Sequence, residues 1–216
     1  MAKDKKSRLI LNRLSKRYPN AASELNFKNS YQLVISAILS AQCTDKMVNR
    51  VTPQLFRKFP SFSALSKAPL KDIERIITPI NYYRTKAKNI KRLSQIVTKE
   101  LSGRLPKDFE GMVSLPGVGR KTANVVLGEL GISKTLPVDT HVFRVARRLG
   151  LSSGKRPEDV EEDLKGIFPP SQWRKVHHSF ILHGRYLCKA KNPKCGDCPL
   201  TDLCPNGTPK NGTPKN

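Results

Sequence analysis

At 216 residues, with 38% hydrophobic and only 6% aromatic side chains, the chain is long enough for one large or two small domains with a real core. Forty Lys and Arg against seventeen Asp and Glu leave a formal charge of +23, spread along the whole length, and a folded body that basic selects a polyanion, nucleic acid first. A small electron carrier has no need of such charge. The most apolar run, Tyr31 to Ala41, falls short of the ~20 residues of a membrane span. The charged start MAKDKKSRLILNRLSKRYP lacks the apolar centre of a signal peptide, so the chain is expected to stay in the cytoplasm, with no membrane partner.

In chain order, a first helix gives way to the loop PNAASELNFKNS. The Tyr31 to Ala41 run is apolar almost all round, which predicts a central buried helix. SAQCTD follows, with Cys43 as a small buried residue, and Pro53 is expected to interrupt and kink the next helix. Leu93, Ile96, Val97 and Leu101 mark one face of a helix from about Thr85 that stops at Gly103. GISKTLP interrupts the middle of the chain, and Val142, Val145, Ala146 and Leu149 then give a helical face before Gly150. Pro157 opens a helix faced by Val160, Leu164 and Phe168. Ser171 is the expected N-cap of a last helix carrying Val176, Phe180 and Leu187, in which His177, His178 and His183 are read as structural. No segment alternates like a strand, so the fold class is all-α. The tail from Asn206 repeats NGTPK without apolar residues and reads as disordered.

Two constellations carry chemistry. In LPGVGRKTANVV, Gly117 and Gly119 enter a helix, where a tight glycine turn leaves amides free to hold a phosphate. Arg120 and Lys121 flank it and favour phosphate over an ordinary turn. A lysine in the first turn of a helix, beside an arginine and partly desolvated, loses preference for its charged form, which is how an amine becomes a nucleophile able to form a Schiff base; on spacing alone the alternative, a solvated lysine that contacts phosphate, is favoured. Asp139 in VDTH begins the next helical pattern; a cap and an ionised functional carboxylate are compatible roles for it, and His141 is a candidate DNA contact. The second constellation is Cys188, Cys195, Cys198 and Cys204, spaced C-x6-C-x2-C-x5-C. Four thiolates hold a 4Fe–4S cluster or a zinc ion; the uneven spacing with a single CxxC favours the cluster.

LPGVGRKTANVV with VDTHVFR, SAQCTD, HGRYLC and the cysteine ending together resemble the endonuclease III family of helix–hairpin–helix DNA glycosylases, over roughly residues 3–204. The resemblance implies a six-helix barrel domain over residues 22–132, with the hairpin motif at about 108–130. An iron–sulfur domain would comprise 1–21 and 133–205, with 206–216 as the tail. It implies base excision DNA repair. A bifunctional glycosylase removes oxidised pyrimidines from double-stranded DNA and cleaves the abasic site by β-elimination, acting as a monomer associated with the bacterial nucleoid. Lys121 matches the nucleophile and Asp139 the carboxylate. Amides around Gly117 and Gly119 grip phosphate, and main-chain carbonyls near Val113, Leu115 and Val118 hold a monovalent cation. Lys189, Lys191 and Lys194 face the DNA backbone, and Gln42 fills the gap left by the extruded base. The family commonly shows Gly-Leu where this chain has Asn81-Tyr82; Tyr82 is then the candidate wedge, against the alternative that Tyr82 or Tyr83 packs on the helix beginning near Thr85. A glycosylase for thymine or uracil mismatched with guanine, and a catalytically silent cluster-bearing DNA-binding module, are the competing readings.

Overall fold

The computed structural model describes residues 3–207, and its helices run α1 (Lys3–Arg17), α2 (Ser30–Ser40), α3 (Asp45–Lys58), α4 (Phe62–Lys67), α5 (Leu70–Ile77), α6 (Tyr83–Lys99), α7 (Phe109–Val113), α8 (Arg120–Glu129), α9 (Thr140–Arg148), α10 (Pro157–Ile167) and α11 (Trp173–Tyr186). No strand occurs among the described residues. The chain divides into two units, Ser23–Ser133 and a second built from Met1–Ala22 with Lys134–Asn216. Among the described residues no helix is long and apolar enough to cross a membrane.

The Ser23–Ser133 unit is organised around α2. Asn29 caps it by accepting from the Gln32 amide at 2.9 Å, and Tyr31 and Leu33 to Leu39 are buried on every side of the helix. α3 starts at Thr44, which accepts from the Met47 amide, and it carries Asp45 at its positive end and Arg57 and Lys58 at its negative end. Pro53 lies within α3 without interrupting it. Its fixed φ suits a helix and costs the main chain one bond, while buried Val51, Thr52 and Leu55 anchor both sides. α4 and α5 pack on α6, and α2 packs on α3, α6 and α8. Ile35, Leu39, Leu55, Ile77, Ile90 and Leu93 share this core.

The other unit has its own core, with Ile10, Leu14, Val142, Val145, Leu164 and Phe180 among its members. α1 packs on α10 and α11, and α9 on the same two helices. Pro157 stands at the start of α10. The N-cap of α11 is Gln172, not Ser171, which belongs to a short 3-10 turn at Pro170–Gln172. Pro169 and Pro170 bring that turn in ahead of the helix, and Trp173 closes it by donating from Nε1 to the Phe168 carbonyl at 2.7 Å. Asn206 and Gly207, expected in a disordered tail, are ordered: Asn206 donates to the Arg148 carbonyl at 2.9 Å and Gly207 to that of Cys204 at 3.0 Å. The rest of the expected tail, 208–216, lies outside the described residues.

A buried tyrosine tests the α2 core. The Tyr31 hydroxyl donates to the Phe59 carbonyl at 2.6 Å, and its ring meets Phe62 and Phe56 edge-on at 4.9 and 5.5 Å. Burial pushes the hydroxyl above its ordinary range, so it stays a donor. Tyr31→Phe leaves that carbonyl unpaired and is expected to cost about 1–3 kcal/mol in urea unfolding; unchanged stability would contradict this packing.

Candidate active site and cluster site

The glycine hairpin joins α7 to α8. Asp108 caps α7 by accepting from the Gly111 amide at 2.7 Å, and the turn winds on through Leu115 N–H to Met112 and Val118 N–H to Leu115, at 3.2 and 3.1 Å. The side chains of Leu115 and Val118 are buried and fix the turn to the core, so Leu115 has only its main chain to offer a ligand. Gly117 has φ +80°, and a Cβ there would sit 3.0 Å from Asn89 Cβ and 3.3 Å from Ile38 Cγ2. Gly119, the N-cap of α8, faces open space instead: nothing lies within 4 Å of where its Cβ would be. No side chain caps α8. Its first turn therefore presents amides beside exposed Arg120 and Lys121, with the Arg120 guanidinium over the Phe109 ring at 5.1 Å. This arrangement suits an anion. The partial desolvation expected for Lys121 is not built into the free chain, because the first turn of α8 is open to solvent and its side chain is exposed.

Asp139 is the N-cap of α9. Its Oδ1 accepts from the amides of His141 and Val142, each at 2.8 Å, and buried Val138 and Val142 flank it. The carboxylate is thus held in one orientation at the positive end of a helix. His141 Nδ1 lies 3.2 Å from Arg144 Nη2. Arg144 also donates to the carbonyls of Gly184 at 2.8 Å and Cys188 at 2.9 Å. One turn on, Arg148 reaches Cys188 Sγ at 3.5 Å and the carbonyls of Lys189 and Ala190 at 2.7 and 3.0 Å. Gly184 lets α9 and α11 meet, since a Cβ there would fall 2.9 Å from His141 Cβ.

The four cysteines line one pocket together with Arg148, His183 and Leu187. All are half-buried free thiols. Cys188 follows α11, Cys195 opens a 3-10 turn that ends at Cys198, and Cys204 follows another. Among the described residues no three His, Cys, Asp or Glu side chains converge as a single ion would require. Four thiols lining one pocket suit a polynuclear cluster. Burial pushes the Cys198 thiol up, opposed by the Leu200 amide at its sulfur, and burial likewise raises Cys204. Binding an iron–sulfur cluster would therefore release these protons. His183 stands 3.5 Å from Cys198 Sγ through Nε2. Burial, with the charge of Arg17, lowers its pKa to about 4, so the ring is neutral and can donate to a thiolate. Its Nδ1 is buried with no protein partner among the described residues.

Lys189, Lys191 and Lys194 are exposed on the loop after Cys188, which the Lys194 amide closes onto the Leu187 carbonyl at 2.9 Å. Gln42 and Tyr82 are exposed and both take positive φ, +53° and +58°. Tyr82 is 68% exposed, so it does not pack on α6. Cys43 is partly buried against the α2 core. The sequence reading passed over Arg144, Arg148 and Lys86, and offered His183 only as a structural residue. Arg144 and Arg148 were detectable as an i, i+4 pair on one face of α9, and Lys86 as a cation within the apolar stripe of Ala87, Ile90 and Leu93.

Purified protein is expected to be yellow-brown and to contain iron and sulfide at about four each per chain. Cys198→Ser should lower folded yield before it alters chemistry. Stoichiometric zinc without sulfide would contradict the cluster.

Comparison with known proteins agrees with this geometry. Residues 35–170 match the HhH-GPD superfamily base excision DNA repair protein, and residues 188–204 match the iron–sulfur binding domain of endonuclease III. Endonuclease III of Synechocystis sp. is 42% identical, over 95% of this chain and 94% of the relative. The solved structure of a trapped endonuclease III–DNA covalent intermediate superposes with a TM-score of 0.89 at 41% identity, covering 96% of this chain and 98% of that one. A thermostable thymine-DNA glycosylase has a TM-score of 0.83 at 22% identity, covering 94% and 97%, and shares the fold alone. The chain belongs to the endonuclease III family, within the HhH-GPD superfamily of base excision DNA repair proteins, and carries that family's iron–sulfur domain.

Proposed function

We propose that the protein is a bifunctional DNA glycosylase and abasic-site lyase that removes oxidised pyrimidines from double-stranded DNA. The observation that carries this reading is an exposed lysine, Lys121, at the open, glycine-led start of α8 in a chain of this family. A base inside a duplex is out of reach, so the enzyme extrudes it, at a cost of a few kcal/mol. The amides at Gly117 and Gly119, with Arg120, hold the phosphate. Carbonyls of Val113, Leu115 and Val118 hold a monovalent cation that extends this anion site.

In the reaction, Lys121 Nζ, once deprotonated, attacks the anomeric carbon and the base leaves with the bonding pair. DNA covering the exposed lysine would supply the desolvation that the free chain lacks. Asp139, held by two amides, assists deprotonation of the amine and stabilises the positive charge developing on the sugar. Ring opening gives a Schiff base between Lys121 and the sugar, from which loss of a proton and of the 3′ phosphate cuts the strand. Gln42 and Tyr82 occupy the vacated stack, His141 contacts DNA beside Asp139, and Lys191 with its neighbours binds phosphate along the cysteine loop. Cys188, Cys195, Cys198 and Cys204 would hold the iron–sulfur cluster, which would cross-link that loop. The protein acts as a monomer in the bacterial cytoplasm, on chromosomal DNA.

Duplexes containing thymine glycol, uracil, 8-oxoguanine or mismatched adenine, incubated in parallel and mapped for cuts, test the reading. Cutting at thymine glycol is expected, whereas cutting only at a mismatch would favour the mismatch glycosylase, and no cutting a silent binding module. Asp139→Asn keeps a good cap but removes the charge, and is expected to slow base removal by about a hundredfold while leaving fold and DNA binding largely intact. If that variant unfolds instead, Asp139 is mainly a cap.

A further inference from the structure

Among the described residues four non-glycine residues have positive φ, and two of them, Gln42 and Tyr82, are joined through one side chain. Asn81 Nδ2 donates to the Gln42 carbonyl at 2.6 Å. Residues with a Cβ avoid this conformation unless their surroundings hold them in it. Five residues further on, Lys86 is 7% exposed, and its ammonium donates to the carbonyls of Leu39 at 2.8 Å and Ala41 at 2.6 Å. The carbonyls of Leu39, Ala41 and Gln42, which the end of α2 leaves without helical partners, are thus gripped from the start of α6. α2 is itself the buried centre of its unit, so the grip is anchored in the core.

Tyr82 contributes nothing to that core. It is an exposed aromatic ring held in a strained turn, beside exposed Arg84 and Lys88 in a strongly basic chain. The neighbouring turn presents Gln42, whose amide can both donate and accept. A flat ring and a bifunctional amide on one rigid support answer the two demands of base extrusion, which are to fill the gap and to hold the orphaned partner. Rigidity matters because two mobile loops would have to be ordered at the moment of extrusion.

We infer that Asn81, with Lys86, is a clamp that sets the Gln42 and Tyr82 turns as one preorganised plug for a vacated position in the DNA stack, a role that rests on the base-excision reading above. Asn81 is a positioning residue: it acts through Tyr82 and Gln42, not on the reacting atoms. A glycine at position 81 could not make the bond.

The test uses wild type, Asn81→Ala, Asn81→Asp, Tyr82→Ala and the Asn81→Ala/Tyr82→Ala double variant. Each is measured for thermal stability, affinity for undamaged duplex, and extrusion of thymine glycol reported by 2-aminopurine fluorescence beside the lesion. Asn81→Asp keeps the shape but loses the donor. Each single variant is expected to slow extrusion by about tenfold, the value of one hydrogen bond or stacking contact. Melting temperature and affinity for undamaged duplex should stay close to wild type. The loss in the double variant should fall short of the two single losses combined, since both substitutions act in part through the same ring. Wild-type extrusion in Asn81→Ala, additive losses in the double variant, or a fall in melting temperature that accounts for the loss would each overturn the clamp. If wild type itself leaves thymine glycol uncut, the base-excision reading fails and the clamp falls with it; if wild type cuts and Asn81→Ala extrudes normally, only the clamp falls.

Discussion

Two arginines one turn apart on α9 hold the cysteine-rich end of the chain to the helix that begins at Asp139. Arg144 and Arg148 donate to three consecutive carbonyls, those of Cys188, Lys189 and Ala190. Hydrogen bonds from a charged donor contribute about 1.5–3 kcal/mol each. The same helix therefore begins at the proposed charge-stabilising carboxylate and, through Arg144 and Arg148, holds the first cluster ligand, Cys188. An iron–sulfur cluster held by these cysteines would need to do no chemistry to matter: it would close the loop that carries the exposed Lys189, Lys191 and Lys194.

Charge organises the rest. Seventeen carboxylates cannot neutralise forty cations. The ion pairs that form, such as Arg13 with Asp202, Lys58 with Asp72 and Arg156 with Asp159, involve exposed side chains that contribute little to stability. The surplus gives the folded chain a standing attraction for a polyanion. The hairpin before α8 concentrates the effect, because Gly119 keeps the helix start open and buried Leu115 and Val118 hold it still. Gly117 is required there by its positive φ and by Asn89 and Ile38 against it.

The helical class was legible because apolar spacing carries it: the stripe of Leu93, Ile96 and Val97, the all-round apolar α2, and Pro157 at the head of α10 all read directly. The cysteine spacing and the LPGVGRK motif marked the chemistry through residue types with few competing uses. What the sequence hid depends on tertiary surroundings. Continuation of α3 through Pro53 reflects buried residues on both sides, and the displacement of the α11 cap from Ser171 to Gln172 reflects a proline pair. Exposure of Lys121 follows from the open approach to α8, and the order of Asn206 from one bond to the Arg148 carbonyl. Asn81 and Lys86 were hidden for the same reason: each grips a main-chain carbonyl some 40 residues away in sequence, and a carbonyl has no letter in the alphabet.

The central claim, that Lys121 is the nucleophile of a lyase, is tested most directly by borohydride reduction of the protein with DNA carrying an abasic site, followed by peptide mapping of the adduct. A stable covalent complex with the sugar on Lys121, absent from Lys121→Ala, is the predicted result. Undiminished trapping in that variant, or an adduct mapped to another amine, would contradict it.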